Sequence, residues 1–116
     1  MSSGTVSRAD RRGRDDTSPG ERVERSLARI EASDRPEVWI ELVDRERALG
    51  DARAVQRRLV AGDQLSLAGL TVAVKDNIDV AGVPTTAGCP AYAFTPERSA
   101  EVVRRLEPAG AIAVAK

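Results

Sequence analysis

Residues 70–88 read LTVAVKDNIDVAGVPTTAG, an apolar run that ends at a lysine and continues into a loop rich in glycine and proline. The run alternates, but both alternating sets are mostly apolar, which predicts a strand buried on both faces, as in a parallel sheet. The loop that follows extends from residue 76 to residue 96, and ordered loops of that length are uncommon unless they are functional. The end of this strand is therefore a candidate site.

The lysine at the end of the run, Lys75, is one of only two lysines in a chain that has sixteen arginines. Arginine could supply any ordinary surface cation, whereas only lysine can lose its proton when it is buried. Lys75 is therefore a candidate base. The alternative, which spacing alone favours, is a lysine whose stem lies along the sheet edge and whose ammonium reaches water.

Composition excludes several classes of function. The chain has 116 residues, at most one ordinary domain, and its 18 acidic and 18 basic side chains give a net charge of zero. No field draws it to nucleic acid or to an acidic membrane, so we expect neither as a partner. No apolar run approaches the roughly 20 residues that a membrane-spanning helix needs.

Histidine is absent and Cys89 is the single cysteine. These counts exclude histidine-based triads, an internal disulfide and almost all zinc sites, so we expect no metal and no cofactor. Cys89 is most simply a small buried residue. A reducing, cytoplasmic location is the simplest inference.

The chain divides into three parts. Residues 1–17 hold too few aliphatic side chains to offset their ordering entropy, which predicts a disordered leader. Residues 18–60 form an N-terminal helical segment, which opens at a capping box of Ser18 and Glu21 and has a second helix after Asp44. Between the two helices, Trp39 is expected to be the largest apolar anchor.

The third part begins near residue 65 and contains a strand, a long loop, a helix and a strand. Ser99 is expected to cap a helix that extends to about Glu107, and residues 111–115 predict the second strand. Such a unit joins parallel strands by a right-handed crossover, so the fold class is α/β. Because a parallel pair needs further neighbours, we expect a sheet that is incomplete at Lys116.

Residues 67–88, followed by 102–106 and 109–116, closely resemble the N-terminal part of amidase-signature enzymes. The resemblance implies a partial amidase-signature fold whose amidase domain starts at about residue 65 and is truncated before the rest of the sheet. Within that family, residues 89–97, CPAYAFTPE, are most similar to allophanate hydrolases.

Such enzymes use a nucleophilic serine, a second serine in a cis peptide and a lysine, and Lys75 aligns with that lysine. Both serines lie beyond residue 116 in the family pattern, so this chain is expected to be inactive alone. Asp76 and Asn77 either orient Lys75 or line the site, or they satisfy loop backbone groups after the strand. A structural turn is favoured over substrate contact for Thr85 and Thr86, and Lys116 is assigned no role.

The leading hypothesis is the N-terminal part of an amidohydrolase that acts on a small-molecule amide, most simply an allophanate hydrolase in urea degradation. One alternative is the A subunit of a glutamine-dependent tRNA amidotransferase. Another is a non-catalytic fragment that binds a partner through an exposed sheet edge. The sequence does not decide whether the full-length protein is a homodimer.

Overall fold

The computed structural model describes residues 17–116, so the predicted disorder of the leader lies, apart from Thr17, outside the described residues. The helices and strands, in chain order, are α1 (Pro19–Ala32), α2 (Arg45–Val60), β1 (Thr71–Ala73), α3 (Glu101–Leu106) and β2 (Ile112–Ala115). Two short 3-10 turns, Pro36–Val38 and Pro90–Tyr92, lie in the connections. None of the helices in the described part combines the length and the apolar character that crossing a membrane requires.

Helix α1 begins at the predicted capping box. The Ser18 hydroxyl accepts a hydrogen bond from the Glu21 amide at 3.2 Å, and the Glu21 carboxylate accepts one from the Ser18 amide at 3.3 Å. These two bonds satisfy amides that have no partner within the helix. Val23 and Leu27 lie one turn apart and are buried, so α1 packs through an apolar stripe.

Helix α2 packs against both α1 and β2. Its buried positions are Ala48, Ala52 and Val55, which recur at helical spacing. Small side chains let the helix approach its neighbours closely. The helix starts after Asp44, as the sequence predicted, although the Asp44 side chain makes no capping hydrogen bond.

Strand β2 is the centre of the sheet. It pairs in parallel with β1, in a register that sets Thr71 opposite Ile112 and Val72 opposite Ala113. On its other side, Leu42 forms an antiparallel bridge with Ala115. All four residues of β2 are buried, and the predicted parallel pair is confirmed.

Strand β1 differs from its prediction. Burial on both faces is wrong, because Val72 is only partly buried and Ala73 is exposed. Within residues 17–116, β1 pairs with β2 on one side and α1 packs on it, so the strand remains an edge of the described sheet.

The start of α3 also differs. Ala100, not Ser99, is the N-cap residue, and its side chain makes no capping bond. The Ser99 hydroxyl instead accepts a hydrogen bond from the Ala81 amide at 2.9 Å, across the long loop. The helix ends at Leu106, one residue before the predicted end, and Pro108 lies in the turn that follows.

Candidate active site

The end of β1 places successive side chains on opposite sides of the chain. Val74 is buried and its amide donates to the Ala115 carbonyl at 2.9 Å, which continues the parallel pairing beyond the strand. Lys75 is exposed, Asp76 is buried, and Asn77 is exposed again. The extended backbone ends near Lys75, where the Ile78 amide donates to the Lys75 carbonyl at 2.9 Å and closes a turn that contains Asp76 and Asn77. Lys75 therefore faces away from the interior that receives Asp76.

The carboxylate of Asp76 is only 3% exposed and accepts several hydrogen bonds from the loop. The Thr86 amide donates to both oxygens at 3.1 and 3.2 Å, and the Gly88 amide donates to Oδ2 at 3.3 Å. The Thr86 hydroxyl also donates to Oδ2. Ala87, between these donors, has a φ of 50°, and Gly88 has a φ of 74°. The left-handed turn at these two residues directs the amides toward Asp76.

The second lysine of the chain, Lys116, lies in the same interior with its side chain 0% exposed. Its ammonium donates to the Pro84 carbonyl at 3.2 Å and to the Thr85 hydroxyl at 3.0 Å, and it lies 3.4 Å from Oδ1 of Asp76. An ammonium has three N–H donors, and these three oxygens are enough to receive them. The buried positive charge is thus fully partnered.

The electrostatics of Asp76 follow from these contacts. Burial raises the pKa of a carboxyl group, because it disfavours the charged form. The hydrogen bonds from the Thr86 hydroxyl and amide, the Gly88 amide and the Lys116 ammonium outweigh burial and hold the pKa of Asp76 below its ordinary value. Asp76 is therefore an ionised acceptor at neutral pH.

The long loop is held by further polar contacts. The Thr85 hydroxyl donates to the Asp79 carboxylate at 2.9 Å, and Thr85 forms an antiparallel bridge with Phe94. Ala81 is fixed at both of its backbone groups: its amide donates to Ser99, and its carbonyl accepts from Arg47 of α2 at 2.6 Å. The loop predicted to be ordered is therefore anchored to α2 and to the residues before α3.

A family model described as Amidase matches residues 21–116. The chain belongs to the amidase family. The putative amidase AmiA2 of Mycobacterium tuberculosis is 46% identical over 96 residues, which are 83% of this chain and 20% of that protein. The urea amidolyase of Saccharomyces cerevisiae is 45% identical over 78 residues, which are 67% of this chain and 4% of that protein.

Solved structures confirm the partial amidase-signature fold. The peptide amidase of Stenotrophomonas maltophilia is 33% identical with a TM-score of 0.77, over 86% of this chain and 21% of that chain. The allophanate hydrolase of Kluyveromyces lactis is 35% identical with a TM-score of 0.71, over 86% of this chain and 17% of that chain. The predicted resemblance to allophanate hydrolases is thus confirmed, and this amidase chain spans about a fifth or less of each of these relatives.

The residues singled out from the sequence have different places in this amidase site. Lys75 lies at the predicted strand end, and its ammonium makes no hydrogen bond or ion pair with any residue in 17–116. Thr85 and Thr86 hold the turn, and Asp76 satisfies loop amides, as the structural alternatives predicted. Cys89 is exposed, so its predicted burial is wrong. It precedes the 3-10 turn on the outer side of the loop.

The residue that sequence reasoning missed is Lys116. The scarcity of lysine applied to it as much as to Lys75, since each is one of two. That signal could have found it. The site therefore offers two different amines. That of Lys75 is exposed, and that of Lys116 is an ammonium whose charge is balanced by an ion pair with Asp76.

Proposed function

We propose that this chain supplies the catalytic base, Lys75, of an amide-hydrolysing enzyme. The observation that supports the proposal is a lysine without an ion-pair partner in the described chain, held at the end of β1 next to a rigid buried carboxylate, in a member of the amidase family. A base must present its lone pair to the reacting group. An ammonium that is held in its charged form by a salt bridge, such as that of Lys116, is poorly suited to this task.

The proposed mechanism is a Ser-cisSer-Lys relay. Neutral Lys75 takes a proton from the bridging serine, and the bridging serine takes one from the nucleophilic serine. The nucleophile attacks the amide carbonyl, the proton returns from Lys75 through the bridging serine to the leaving nitrogen so that ammonia departs, and water then hydrolyses the acyl-enzyme. Both serines belong to sequence beyond residue 116 in this proposal. In general, burial disfavours the ammonium form of a lysine, which is how an enzyme makes such a side chain available as a base.

For the substrate, we propose allophanate, which gives ammonia and carbon dioxide. The similarity to a yeast urea amidolyase and to the Kluyveromyces allophanate hydrolase supports this choice. The similarity to a peptide amidase favours a second candidate, a peptide amide. We place the enzyme in the cytoplasm, where a reducing environment would keep the exposed thiol of Cys89 free.

The first test is to read the gene past the codon for Lys116. A continuing frame with a glycine- and serine-rich segment would support the relay. An immediate stop codon would leave Lys75 without serines and would favour a non-catalytic protein. The encoded full-length product is then assayed for ammonia release from allophanate, from an amidated peptide and from glutamine, and the preferred substrate separates the candidates.

The role of Lys75 is tested by Lys75→Arg in the full-length product. Arginine keeps the positive charge but cannot cycle through a neutral form, so we expect turnover to be lost while folding is retained. Arg98→Lys is the matched control, since Arg98 is exposed and lies outside the site. Retention of most activity by Lys75→Arg would refute the proposed role.

A further inference from the structure

The direction of the Lys75 side chain is coupled to that of its neighbour. Residues 73–77 alternate between exposed and buried, with Val74 and Asp76 inside and Lys75 outside. Asp76 follows Lys75 directly, and both belong to a turn that the Ile78 amide closes on the Lys75 carbonyl at 2.9 Å, so the backbone orientation of one residue is tied to that of the other. Whatever holds the Asp76 carboxylate inside the loop therefore also holds Lys75 on the open side.

The element that holds Asp76 is itself firmly anchored. The amide of Lys116 donates to the Glu41 carbonyl at 2.7 Å, and the Lys116 carbonyl accepts from the amides of Ile40 and Glu41 at 2.8 and 3.1 Å. The backbone of Lys116 is thus fixed by the 40–43 segment, while its ammonium extends to the loop that follows β1. It connects the far side of β2 with the site.

We propose that Lys116 and Asp76 are a positioning pair for Lys75. The pair closes the 76–88 loop against the end of β2 and thereby fixes the backbone so that Lys75 faces the open side of the sheet. We call this pair, together with Thr85 and Thr86, the lock. The Thr85 hydroxyl accepts from Lys116, and the Thr86 amide and hydroxyl donate to Asp76. This proposal rests on the proposed function, in which Lys75 is the base.

Energetics favour a geometric role over a purely stabilising one. A buried ion pair contributes little net stability compared with apolar side chains of the same volume, because both charges must be desolvated. What distinguishes this pair is that four separate donors fix the direction of the Asp76 carboxylate. They are the Thr86 amide, the Thr86 hydroxyl, the Gly88 amide and the Lys116 ammonium. An apolar pair would fill the space without fixing the direction of residue 76.

The lock can be tested on this chain without any enzyme assay, because it contains only two lysines. Trace acetylation followed by peptide mass spectrometry gives the reactivity of each amine separately. We expect Lys75 to react as an exposed amine and Lys116 to be strongly protected. Asp76→Asn and the milder Thr86→Val should both increase the reactivity of Lys116. Equal reactivity of the two lysines in the wild-type chain would overturn the lock.

The positioning role is tested by kcat and KM in the full-length enzyme, expressed per folded molecule at a temperature well below the unfolding transition. A displacement of about 1 Å in a catalytic group can lower the rate about 100-fold, so Lys116→Met and Asp76→Asn should lower kcat by about that factor with little change in KM. Thr86→Val should give a smaller fall, and Thr86→Ser, which keeps the hydroxyl donor, should restore kcat.

The outcomes separate the two proposals. If the wild-type enzyme hydrolyses no amide, the proposed function fails, while the acetylation result still decides whether the lock exists. If the wild-type enzyme is active and the folded variants keep the wild-type kcat, the pair is only structural and the positioning role is overturned. A fall in kcat for Lys116→Met and Thr86→Val, with restoration by Thr86→Ser, supports it.

Discussion

The backbone of Gly110 lies directly against that of Ala68, so that a Cβ added at Gly110 would stand 2.9 Å from the Ala68 Cα. Two hydrogen bonds accompany this approach, from the Gly69 amide to the Gly110 carbonyl at 3.0 Å and from Leu67 to Ala109 at 2.9 Å. The turn before β1 is thereby joined to the turn before β2. The contact aligns the two parallel strands at their N-terminal ends.

Gly110→Ala should therefore lower the free energy of unfolding by more than a left-handed conformation alone explains. A positive φ costs a non-glycine residue about 1–2 kcal/mol, and forcing an atom into a filled site adds about 1–3 kcal/mol. Gly62→Ala is the matched control, because Gly62 also has a positive φ but has open space around it. Urea denaturation measures both, and equal losses would contradict the close approach.

Asp76 should make stability depend on acid. Its pKa is lower in the folded state than in the unfolded chain, where an aspartate has a pKa of about 3.9. Its contribution is therefore present above about pH 4 and is lost as the pH falls through the lower folded pKa. Removing one member of a buried pair costs about 3–5 kcal/mol, so we expect Asp76→Asn to lose about this much at pH 7.

The loss of stability caused by Asp76→Asn should narrow as the pH falls below about 4 toward the lowered pKa of Asp76, because the wild-type carboxyl group is then neutralised as well. Chemical denaturation at several pH values measures this, with Asp34→Asn as the control because Asp34 is exposed. A deficit that does not change with pH would show that Asp76 is not the ionised partner of Lys116.

Glu107 should have the opposite effect on stability. Partial burial is the largest influence and raises the pKa of Glu107. The nearby Asp51 carboxylate raises this pKa further, and the positive charge of Arg47 lowers it by less. Because the folded pKa is raised, the neutral form is favoured, and its contribution is lost as the pH rises through that pKa. Glu107→Gln should therefore increase stability at pH 7, by up to about 0.5 kcal/mol for a surface position.

The gain from Glu107→Gln should vanish near pH 4. Thermal denaturation at pH 7 and pH 4 measures it, and Glu97→Gln at another exposed position is the control. A loss of stability at pH 7 would mean that the attraction of Arg47 outweighs burial and the repulsion of Asp51.

Trp39 carries a cost that a smaller aromatic ring would avoid. Its ring packs against the core, but the indole N–H is buried and has no acceptor among the described residues. An unpaired buried donor costs about 1–3 kcal/mol. Trp39→Phe removes that donor and some packing together, so we expect a free energy of unfolding within about 1 kcal/mol of wild type.

Trp39→Ala removes the packing without replacement. We expect it to cost about half of the 3–5 kcal/mol typical of a fully buried tryptophan, since Trp39 is only partly buried. Urea denaturation compares the two variants. If Trp39→Phe costs as much as Trp39→Ala, the indole N–H has a hydrogen-bond partner in solution.

Local signals predicted the parts of the fold that local contacts determine. The capping box at Ser18 fixes the start of α1 through bonds over three residues, and the apolar runs at 70–74 and 111–115 contain the two strands. The antiparallel pairing of residues 40–43 with β2 was not predicted, because that segment shows no clear alternation and its partner lies about seventy residues away. Ser99 was misassigned because it has a distant donor, the Ala81 amide.

The sequence predicted that Lys75 follows a strand, but it did not predict the contacts between the side chains around it. The sequence pointed to Lys75 because a strand end followed by a long loop is a local pattern. The partner of Asp76 could not be found in this way, because Lys116 is distant in sequence and reaches the loop only when β2 pairs with β1. The exposure of Cys89 depends likewise on how the loop turns outward at residues 90–92.

The central place of β2 has a consequence for synthesis on the ribosome. Helices α1 and α2 can pair early, but residues 40–43 and β1 both wait for a strand that is made last among the described elements. At bacterial and eukaryotic elongation rates of about 5–20 residues per second, the interval between residues 76 and 116 takes about 2–8 seconds. During that time the Asp76 carboxylate lacks its counter-charge and β1 lacks its strand partner, so neither is secured until residue 116 has been added.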